Sequence, residues 1–306
     1  MKPLNEAAAG LSDTPSTVEA VLHDAVAALA AGLPSVRMEA ARDAELLLCA
    51  ALGWTRTQLR IRGDLPLSAP AQQQFTDWIQ RRAGGEPVAY LLGEREFWSL
   101  ALAVGPGVLV PRPDTECLVE VALAFVQACV TPSVLDLGTG TGAIAIAIAH
   151  TLAHAPAAVP VRIVAVEREP AALVVAARNI ARHAAGRVDL RSGDWYQPVS
   201  GERFTIIVSN PPYLGSTDPH LPHLAHEPAA ALVSGPSGLE CLAQLVAGAA
   251  EHLFPGGLLA LEHGADQGAA VRAMLAAAGF VAIHTQHDLA GLERVTSGQR
   301  PQASAS

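Results

Sequence analysis

An alternation of short apolar strands with helices, which runs from about residue 113 to residue 300, constrains the fold of this chain more than any other feature. The segments with strand character are Ser133–Leu137, Arg162–Glu167, Val188–Arg191, Phe204–Ser209, Leu258–Glu262, Val281–Gln286 and Glu293–Ser297. Helical patterns lie between the earlier ones, at Glu116–Ala128, Gly142–His154, Ala171–His183, Leu239–Leu253 and Asp266–Ala278. This alternation favours an α/β fold with a parallel, doubly wound sheet, which binds ligands beyond the carboxyl ends of its strands.

The segment before this alternation has helical character. Apolar residues recur at helical spacing between residues 16 and 83, and Gly and Pro residues divide the stretch into about four short helices. The run Ala83-Gly84-Gly85-Glu86-Pro87 interrupts the pattern. We therefore predict a small N-terminal helical domain over residues 1–85.

A β-hairpin is predicted between the two parts. Apolar residues between positions 94 and 110 have strand character, and Gly105-Pro106-Gly107 supplies a turn. We assign residues 86–116 to this hairpin linker and residues 117–300 to the α/β domain. The remaining residues, 301–306, are expected to form a disordered tail.

The formal net charge of −9 limits the classes of partner. Proteins that bind phosphate backbones usually carry a basic surface, so the charge argues against DNA or RNA as a substrate. The four cysteines include no C-x-x-C pair, which favours free thiols over a zinc site or a disulfide framework. The N-terminus lacks the apolar core of a signal peptide, and the run Gly142–Ala149 is too short to span a bilayer. We expect a cytoplasmic monomer without membrane or nucleic-acid partners.

Three successive strand ends carry residues suited to a nucleotide-containing cofactor. The first strand enters the loop Gly138-Thr139-Gly140-Thr141-Gly142, whose glycines permit positive φ and let a ligand approach the backbone. Glu167 ends the second strand, where a carboxylate can accept hydrogen bonds from both ribose hydroxyls of a nucleoside. Asp194-Trp195 follows the third strand, and an acid beside an aromatic ring suits adenine. These positions fit NAD as well as S-adenosylmethionine, because the loop also satisfies the dinucleotide fingerprint G-x-G-x-x-G/A.

The fourth strand ends in Asn210-Pro211-Pro212-Tyr213, which decides between the two cofactors. The prolines fix two φ angles, remove two backbone donors and keep Asn210 out of the helical region. The Asn210 side-chain oxygen and the Pro211 carbonyl can therefore accept from one NH2 group, with Tyr213 as an aromatic wall. Such a group exposes its nitrogen to a methyl donor in a fixed orientation. The turn predicts methyl transfer from S-adenosylmethionine to a planar amide or amine nitrogen.

Together with three further segments, the two motifs resemble the release-factor glutamine-N5 methyltransferases, the PrmC/HemK family. The further segments are Glu86–Leu91 with Gly93 and Phe97, Val108–Glu116, and Leu261–Gly264, so the likeness covers nearly the whole chain. The sequence Pro-Arg-Pro-Asp-Thr-Glu at residues 111–116 separates this family from other Asn-Pro-Pro-Tyr enzymes, such as adenine-N6 DNA methyltransferases. For Arg112, Asp114 and Glu116 we expect a salt-bridged lid over the cofactor.

The resemblance implies a Rossmann-type class I methyltransferase sheet, joined by a β-hairpin linker to an all-helical domain that helps to recognise the protein substrate. It implies S-adenosylmethionine as the cofactor, and the glutamine of the Gly-Gly-Gln motif in class I peptide chain release factors as the substrate. It places cofactor contacts at Gly138, Thr139, Gly140, Thr141, Gly142, Glu167, Trp195 and Asn210. Substrate contacts fall on Asn210, Pro211, Pro212 and Tyr213, with Asn210, Pro211 and Tyr213 as the catalytic set. Glu167 departs from the Asp of many relatives.

Two other functions compete with this hypothesis. The same NH2 pocket would suit the amino group of adenine or cytosine in a nucleic acid, but that reaction needs a basic groove and a flipped base. A non-catalytic module that binds a nucleotide or NAD would explain the glycine loop. It would leave the Asn210–Tyr213 turn without a purpose.

Two further clusters are interpreted as structural. The first comprises Asp218, His220, His223, His226 and Glu227. Three prolines among them disfavour a regular helix, so a solvated loop is favoured over a metal site. The second is Glu262-His263, whose side chains point to opposite faces of a strand and are expected to pack and to anchor a loop.

Overall fold

The computed structural model describes residues 17–32, 39–155 and 160–302. The chain divides into two compact units, and the division falls between Leu92 and Gly93. The last residues of the predicted tail lie outside the described residues. Within the described ranges, no helix combines the length and the hydropathy that crossing a membrane requires.

The first unit is helical, as the apolar spacing predicts. Its helices are α1 (Val18–Gly32), α2 (Ala40–Leu52), α3 (Arg56–Ile61), α4 (Ala69–Ala83) and α5 (Val88–Leu92). α3 begins with a capping box, in which the Thr55 hydroxyl accepts from the Gln58 N–H at 3.2 Å and the Gln58 side chain accepts from the Thr55 N–H at 2.9 Å. Buried side chains from these helices, among them Leu47 and Phe75, form one core. α5 belongs to this unit although it follows residue 85, the predicted end of the domain.

The second unit contains a seven-stranded sheet with helices between its strands. Its elements are β1 (Glu94–Phe97), β2 (Leu100–Ala103), α6 (Glu116–Gln127), β3 (Ser133–Leu137), α7 (Ala143–Ala153), β4 (Arg162–Glu167), α8 (Pro170–His183), β5 (Val188–Ser192), β6 (Phe204–Ser209), β7 (Leu214–Gly215), β8 (Val233–Gly235), α9 (Glu240–His252), β9 (Leu253–Glu262), α10 (Gly268–Ala277), β10 (Val281–His287) and β11 (Glu293–Gln299). The strand order is β10-β11-β9-β6-β3-β4-β5, and β11 runs antiparallel to both of its neighbours while the other pairs are parallel. This arrangement confirms the predicted Rossmann-type fold, preceded by a helical unit.

Helices cover both faces of the sheet, which explains why its central strands are apolar without alternation. One core contains side chains of α6, α7 and α8, and the other contains side chains of α9 and α10. Parallel pairing brings the ends of β3, β4, β5 and β6 to one edge. In particular, Ser209 pairs with Leu261, so Asn210 and Glu262 follow at adjacent strand ends.

The predicted hairpin forms, but the prediction that it turns at Gly105-Pro106-Gly107 is wrong. β1 and β2 pair with Phe97 opposite Leu100, so the turn residues are Trp98 and Ser99. Their φ angles are 54° and 58°. Two consecutive positive φ angles are typical of tight two-residue hairpins, in which Asn and Gly usually occupy these positions.

Tertiary contacts support this unusual turn. The Trp98 N–H donates to Glu116 Oε1 at 2.9 Å, and the Trp98 indole N–H donates to Thr151 Oγ1 at 2.8 Å. Gly107 serves another purpose: its φ is +99°, and an added Cβ would lie 2.8 Å from the Cβ of Ala171 in α8. The contacts that support the turn at Trp98 and the contact that requires a glycine at position 107 both come from residues distant in sequence. A local turn signal could not reveal them.

Replacement of Ser99 by glycine should stabilise the protein. A non-glycine residue at positive φ costs about 1–2 kcal/mol, and the greater freedom of glycine in the unfolded chain offsets about 0.5–1 kcal/mol of the gain. We expect Ser99→Gly to raise the free energy of unfolding in urea by about 0.5–1 kcal/mol. The matched control is Ser200→Gly, at an exposed position with φ −55°, which should lower it by a similar amount. Equal effects of the two changes would contradict strain at Ser99.

Candidate active site

A cleft lies at the carboxyl ends of β3, β4, β5 and β6, where parallel sheets carry ligand sites. Its walls include the predicted residues Gly138, Thr139, Gly140, Thr141, Glu167, Trp195, Asn210 and Pro212. Further wall residues include Leu109, Pro111, Arg112, Thr115, Arg168, Asp194, Pro228 and Ala231. Three other predicted site residues lie beside the cleft and not on its wall: Gly142, Pro211 and Tyr213.

Hydrogen bonds to the neighbouring strand hold the glycine loop in place. The N–H groups of Gly138 and Thr139 both donate to the Val166 carbonyl, at 2.9 and 3.0 Å. Gly138 has a φ of +70°, and an added Cβ would lie 3.3 Å from the ring of Trp195. Glycine is therefore required both by the backbone conformation and by the close approach of the indole ring.

The base of the loop is tightly packed. Gly142 begins α7 with a φ of +84°, and an added Cβ would lie 3.0 Å from the Ile146 side chain, so this glycine serves helix packing. The buried Asp136 carboxylate accepts from the Thr139 hydroxyl at 2.5 Å and from the Ala145 N–H at 3.2 Å. Burial raises the pKa of Asp136 to about 7, although both hydrogen bonds favour its ionised form.

Glu167 is buried at the end of β4 and binds the backbone of two segments. Its Oε2 accepts from the Gly140 N–H at 2.9 Å, and its Oε1 accepts from the N–H groups of Arg168 and Glu169 at 2.8 and 2.9 Å. A carboxylate offers about four acceptor positions, so about one is left on Oε2. One ribose hydroxyl could bind there directly. The sequence predicts that Glu167 binds both ribose hydroxyls. Glu167 would then have to give up one of its hydrogen bonds from a backbone N–H group.

Trp195 and Asp194 form the wall beyond β5. Trp195 has a φ of 43°, and left-handed conformations at non-glycine residues are concentrated at ligand sites. Asp194 Oδ1 lies 3.6 Å from Arg168 Nη1, which is too far for a hydrogen bond. This buried oxygen has no hydrogen-bond partner among the described residues. It is therefore available as an acceptor beside an indole ring.

The Asn210–Tyr213 turn is held from below by Gln267, which precedes α10. Gln267 Nε2 donates to the carbonyls of Tyr213 and Gly238, at 2.9 and 3.2 Å. The Tyr213 ring packs against the core beneath α9 and α10. Burial raises the pKa of Tyr213 to about 12, so its phenol is neutral at physiological pH.

The Asn210 side chain hydrogen-bonds to a residue that is distant in sequence. Asn210 Nδ2 donates to Thr115 Oγ1 at 3.1 Å, and Thr115 is buried. Glu262, which ends the neighbouring strand β9, is also buried, and burial raises its pKa to about 7. The sequence predicts only packing for Glu262 and no role for Thr115.

Ion pairs join the segment at residues 111–116 to other parts of the second unit. Arg112 pairs with the buried Glu227, which links two wall segments as the expected lid would. Asp114 lies 3.6 Å from Arg294. Glu116, for which the sequence predicts a place in the same lid, instead accepts from the Trp98 N–H of the hairpin turn.

The histidine-rich loop and His263 make local contacts. His220 Nδ1 lies 2.8 Å from Asp218 Oδ1, whereas Glu227 bonds to Arg112. Across the residues that the structure describes, no three His, Cys, Asp or Glu side chains converge on a common point suited to a metal ion. His263 anchors the strand end, with Nε2 at 2.7 Å from Thr296 Oγ1 and Nδ1 at 2.8 Å from the Gly264 carbonyl.

A second buried amide, which the sequence does not predict to be functional, supports the site. Asn179 of α8 accepts from the Ala103 N–H at 2.7 Å and donates to the carbonyls of Ala103 and Thr141, at 3.0 and 2.9 Å. It thus joins the hairpin, α8 and the glycine loop. A single polar residue in an amphipathic helix gives no local signal of this role, whereas Thr115 lies within the Pro-Arg-Pro-Asp-Thr-Glu segment.

Comparison with known proteins agrees with this division of the chain. The family model "PrmC N-terminal domain" matches residues 20–93, and the model "Methyltransferase small domain" matches residues 115–228. The structure of the hMettl16 catalytic domain in complex with MAT2A 3′UTR hairpin 6 has a TM-score of 0.52 and 14% identity, with 75% of this chain and 83% of that chain covered. At this identity the likeness concerns the fold alone.

Curated relatives match over most of their length. The release factor glutamine methyltransferase of Xylella fastidiosa is 49% identical over 261 residues, which cover 85% of this chain and 93% of the relative. The release factor glutamine methyltransferase of Pseudomonas aeruginosa is 49% identical over 269 residues, which cover 87% and 93%. At this identity and coverage, the chain belongs to the release factor glutamine methyltransferase family.

Proposed function

We propose that this protein transfers a methyl group from S-adenosylmethionine to the side-chain amide nitrogen, N5, of the glutamine in the Gly-Gly-Gln motif of class I peptide chain release factors. The observation that carries the proposal is the Asn210–Tyr213 turn, which presents Asn210 on the wall of the cleft that also contains the glycine loop. The printed names of the relatives support the choice of substrate. The reaction would take place in the cytoplasm and would involve no nucleic acid.

The chemistry of the cleft fits S-adenosylmethionine, which supplies an electrophilic methyl group when bound. The glycine loop at residues 138–141 presents bare backbone, and Glu167 keeps an acceptor position for a ribose hydroxyl. Asp194 Oδ1 accepts no hydrogen bond from the described residues. It could therefore accept one from the exocyclic amine of adenine. Trp195 offers a ring face beside it. We assign these residues to cofactor binding.

Asn210 and Pro211 are assigned to the glutamine amide. Asn210 Nδ2 bonds to Thr115, which leaves Oδ1 without a hydrogen-bond partner among the described residues. Oδ1 and the Pro211 carbonyl would accept from the two N–H bonds of the glutamine amide, and no backbone donor from Pro211 or Pro212 competes. These hydrogen bonds shift electron density toward a nitrogen that is otherwise a weak nucleophile. Tyr213 would support this turn from the core, against which its ring packs, and would not line the cleft. The proton can leave after transfer without a strong base.

Label transfer tests the substrate directly. Labelled S-adenosylmethionine would be incubated with the enzyme and a class I release factor, with the Gln→Ala variant of its Gly-Gly-Gln motif, or with duplex DNA. We expect label in the wild-type factor alone, because the pocket is complementary to a primary amide. Label in DNA, or equal label in the Gln→Ala factor, would contradict the proposal.

Asn210→Ala should separate catalysis from cofactor binding. We expect kcat to fall by about 100-fold or more, because one of two acceptors for the reacting amide is lost. The Kd for S-adenosylmethionine, measured by calorimetry, should stay within about tenfold of wild type. An equal loss in both quantities would mean that Asn210 serves the cofactor only.

Glu167→Gln should weaken cofactor binding. The variant loses one acceptor oxygen and places an NH2 group against backbone N–H groups, so the Kd for S-adenosylmethionine should rise by about 10-fold or more. The matched control is Glu251→Gln, at an exposed position of α9 outside the wall of the cleft. That change should alter the Kd by less than about twofold. Thermal unfolding of both variants would show whether a loss of affinity arises from a loss of fold.

A further inference from the structure

The cleft contains a cationic side chain to which the proposed function assigns no role. Two arginines, Arg112 and Arg168, lie on the wall that the described residues form. Arg168 Nε lies 3.2 Å from Glu169 Oε1, and its Nη1 lies 3.6 Å from Asp194 Oδ1, in the part of the cleft assigned to adenosine. Arg112 is ion-paired with Glu227, which belongs to a different wall segment. The two cations therefore lie in different parts of the cleft.

Hydrogen bonds connect Arg112 with the proposed position of methyl transfer. The Arg112 carbonyl accepts from the Thr115 N–H at 3.1 Å, and Thr115 Oγ1 accepts from Asn210 Nδ2, also at 3.1 Å. All three residues lie on the wall of the cleft. Arg112 is therefore on the Asn210 side of the cleft, whereas Arg168 follows Glu167 at the end of β4.

The Arg112–Glu227 pair is buried on one side and accessible on the other. The Glu227 side chain is 3% exposed, and the Arg112 side chain is 36% exposed. Glu227 Oε1 accepts from Arg112 Nη2, and Glu227 Oε2 accepts from the Val110 N–H at 2.9 Å. Among the described residues, the Arg112 guanidinium donates to Glu227 and to no other acceptor. Because a guanidinium has several N–H donors in a rigid plane, the others are available to a ligand in the cleft.

The chemistry of the cofactor calls for a cation on this side of the cleft. S-adenosylmethionine has one anionic group, the carboxylate of its methionine part, and its sulfur lies between this part and the adenosine. With the adenosine assigned to Glu167 and Asp194 and the methyl group to Asn210, the carboxylate would lie away from the adenosine, on the Asn210 side. The fork of a guanidinium matches a carboxylate in shape and charge.

We propose that Arg112 binds the carboxylate of the methionine part of S-adenosylmethionine, and that Glu227 is a positioning residue that orients the Arg112 guanidinium. The proposal rests on the function proposed above and adds a contact at the end of the cofactor remote from adenine. The salt-bridged lid that the sequence predicts for Arg112 explains its pair with Glu227. It does not explain why the other donors of this arginine stay accessible on the wall of the cleft.

Decarboxylated S-adenosylmethionine tests this contact, because it keeps the adenosine, the sulfonium and the amine and lacks only the carboxylate. We expect the wild-type protein to bind S-adenosylmethionine about 10- to 100-fold more tightly than this analogue, as measured by calorimetry.

Arg112→Met removes the guanidinium and keeps most of the apolar stem. Its Kd for S-adenosylmethionine should rise by about 10-fold or more, because the carboxylate loses its cationic donor. Its Kd for the decarboxylated analogue should rise by no more than about twofold, because that ligand has no group for the guanidinium to bind. The preference for the carboxylated ligand should therefore be lost.

Arg168→Met is the matched control, because it removes the same charge from the other part of the wall. Both ligands contain the adenosine that this part would bind, so their Kd values should change by factors that agree within about threefold. A second control is Arg178→Met, at an exposed position of α8 outside the wall of the cleft. It should change neither Kd.

A double variant tests the role of Glu227 and protects the experiment against a loss of fold. Arg112→Met leaves the buried Glu227 without its cation, which lowers stability. Arg112→Met with Glu227→Gln removes both charges and should show the same loss of preference, with thermal unfolding as the check of fold. Glu227→Gln alone should reduce the preference by about threefold or more, and its addition to Arg112→Met should reduce it no further. A merely structural role of Glu227 would weaken the binding of both ligands equally.

The binding experiment separates this inference from the proposed function. A preference for S-adenosylmethionine that survives in Arg112→Met would overturn the inference even if the release factor were methylated. So would an equal rise of both Kd values. An unchanged Kd with a higher KM for the release factor would also overturn it, because Arg112 would then contact the protein substrate. Loss of the preference in Arg112→Met but not in Arg168→Met would support the inference even if the release factor received no label.

Discussion

The parallel register of the central strands is the constraint on which the rest of the site depends. Because β3, β4, β6 and β9 run in the same direction, the residues that follow each of them meet at one edge of the sheet. The register also sets neighbours: Asn210 and Glu262 stand side by side only because Ser209 pairs with Leu261. A shift of one residue would turn these side chains to the opposite face.

Buried polar groups beneath this edge give the loops their rigidity. Asp136 holds the glycine loop from below, Asn179 ties the loop to α8, and Thr115 accepts a hydrogen bond from Asn210. Burial of a carboxyl group opposes folding unless hydrogen bonds or neutralisation compensate. Burial raises the pKa values of Asp136 and Glu262 to about 7, which reflects this cost. The fold tolerates the cost where loop geometry must be defined.

Sequence patterns succeeded where structure and chemistry are local. The buried strands, the helices between them and the glycine loop follow from periodicity and residue type, and the structure confirms this architecture. The same sequence patterns gave a wrong position for the hairpin turn. Trp98 and Ser99 adopt positive φ there, with support from Glu116 and Thr151, which are remote in sequence. They also could not show that Gly142 serves helix packing, because an added Cβ there would also lie 3.8 Å from Ala176 Cα of α8, a residue remote in sequence.

The sequence by itself determined the succession of strands and helices, the glycine loop and the chemical character of the Asn210–Tyr213 turn. These properties are carried by neighbouring residues, whose periodicity and dihedral preferences are visible along the chain. Only the tertiary structure decided which acceptors remain available in the cleft and which way Asn210 faces. The acceptor left on Glu167 depends on its bond to Gly140, 27 residues away, and the Asn210 amide bonds to Thr115, 95 residues away. Such pairings exist only once the sheet has brought its strand ends together.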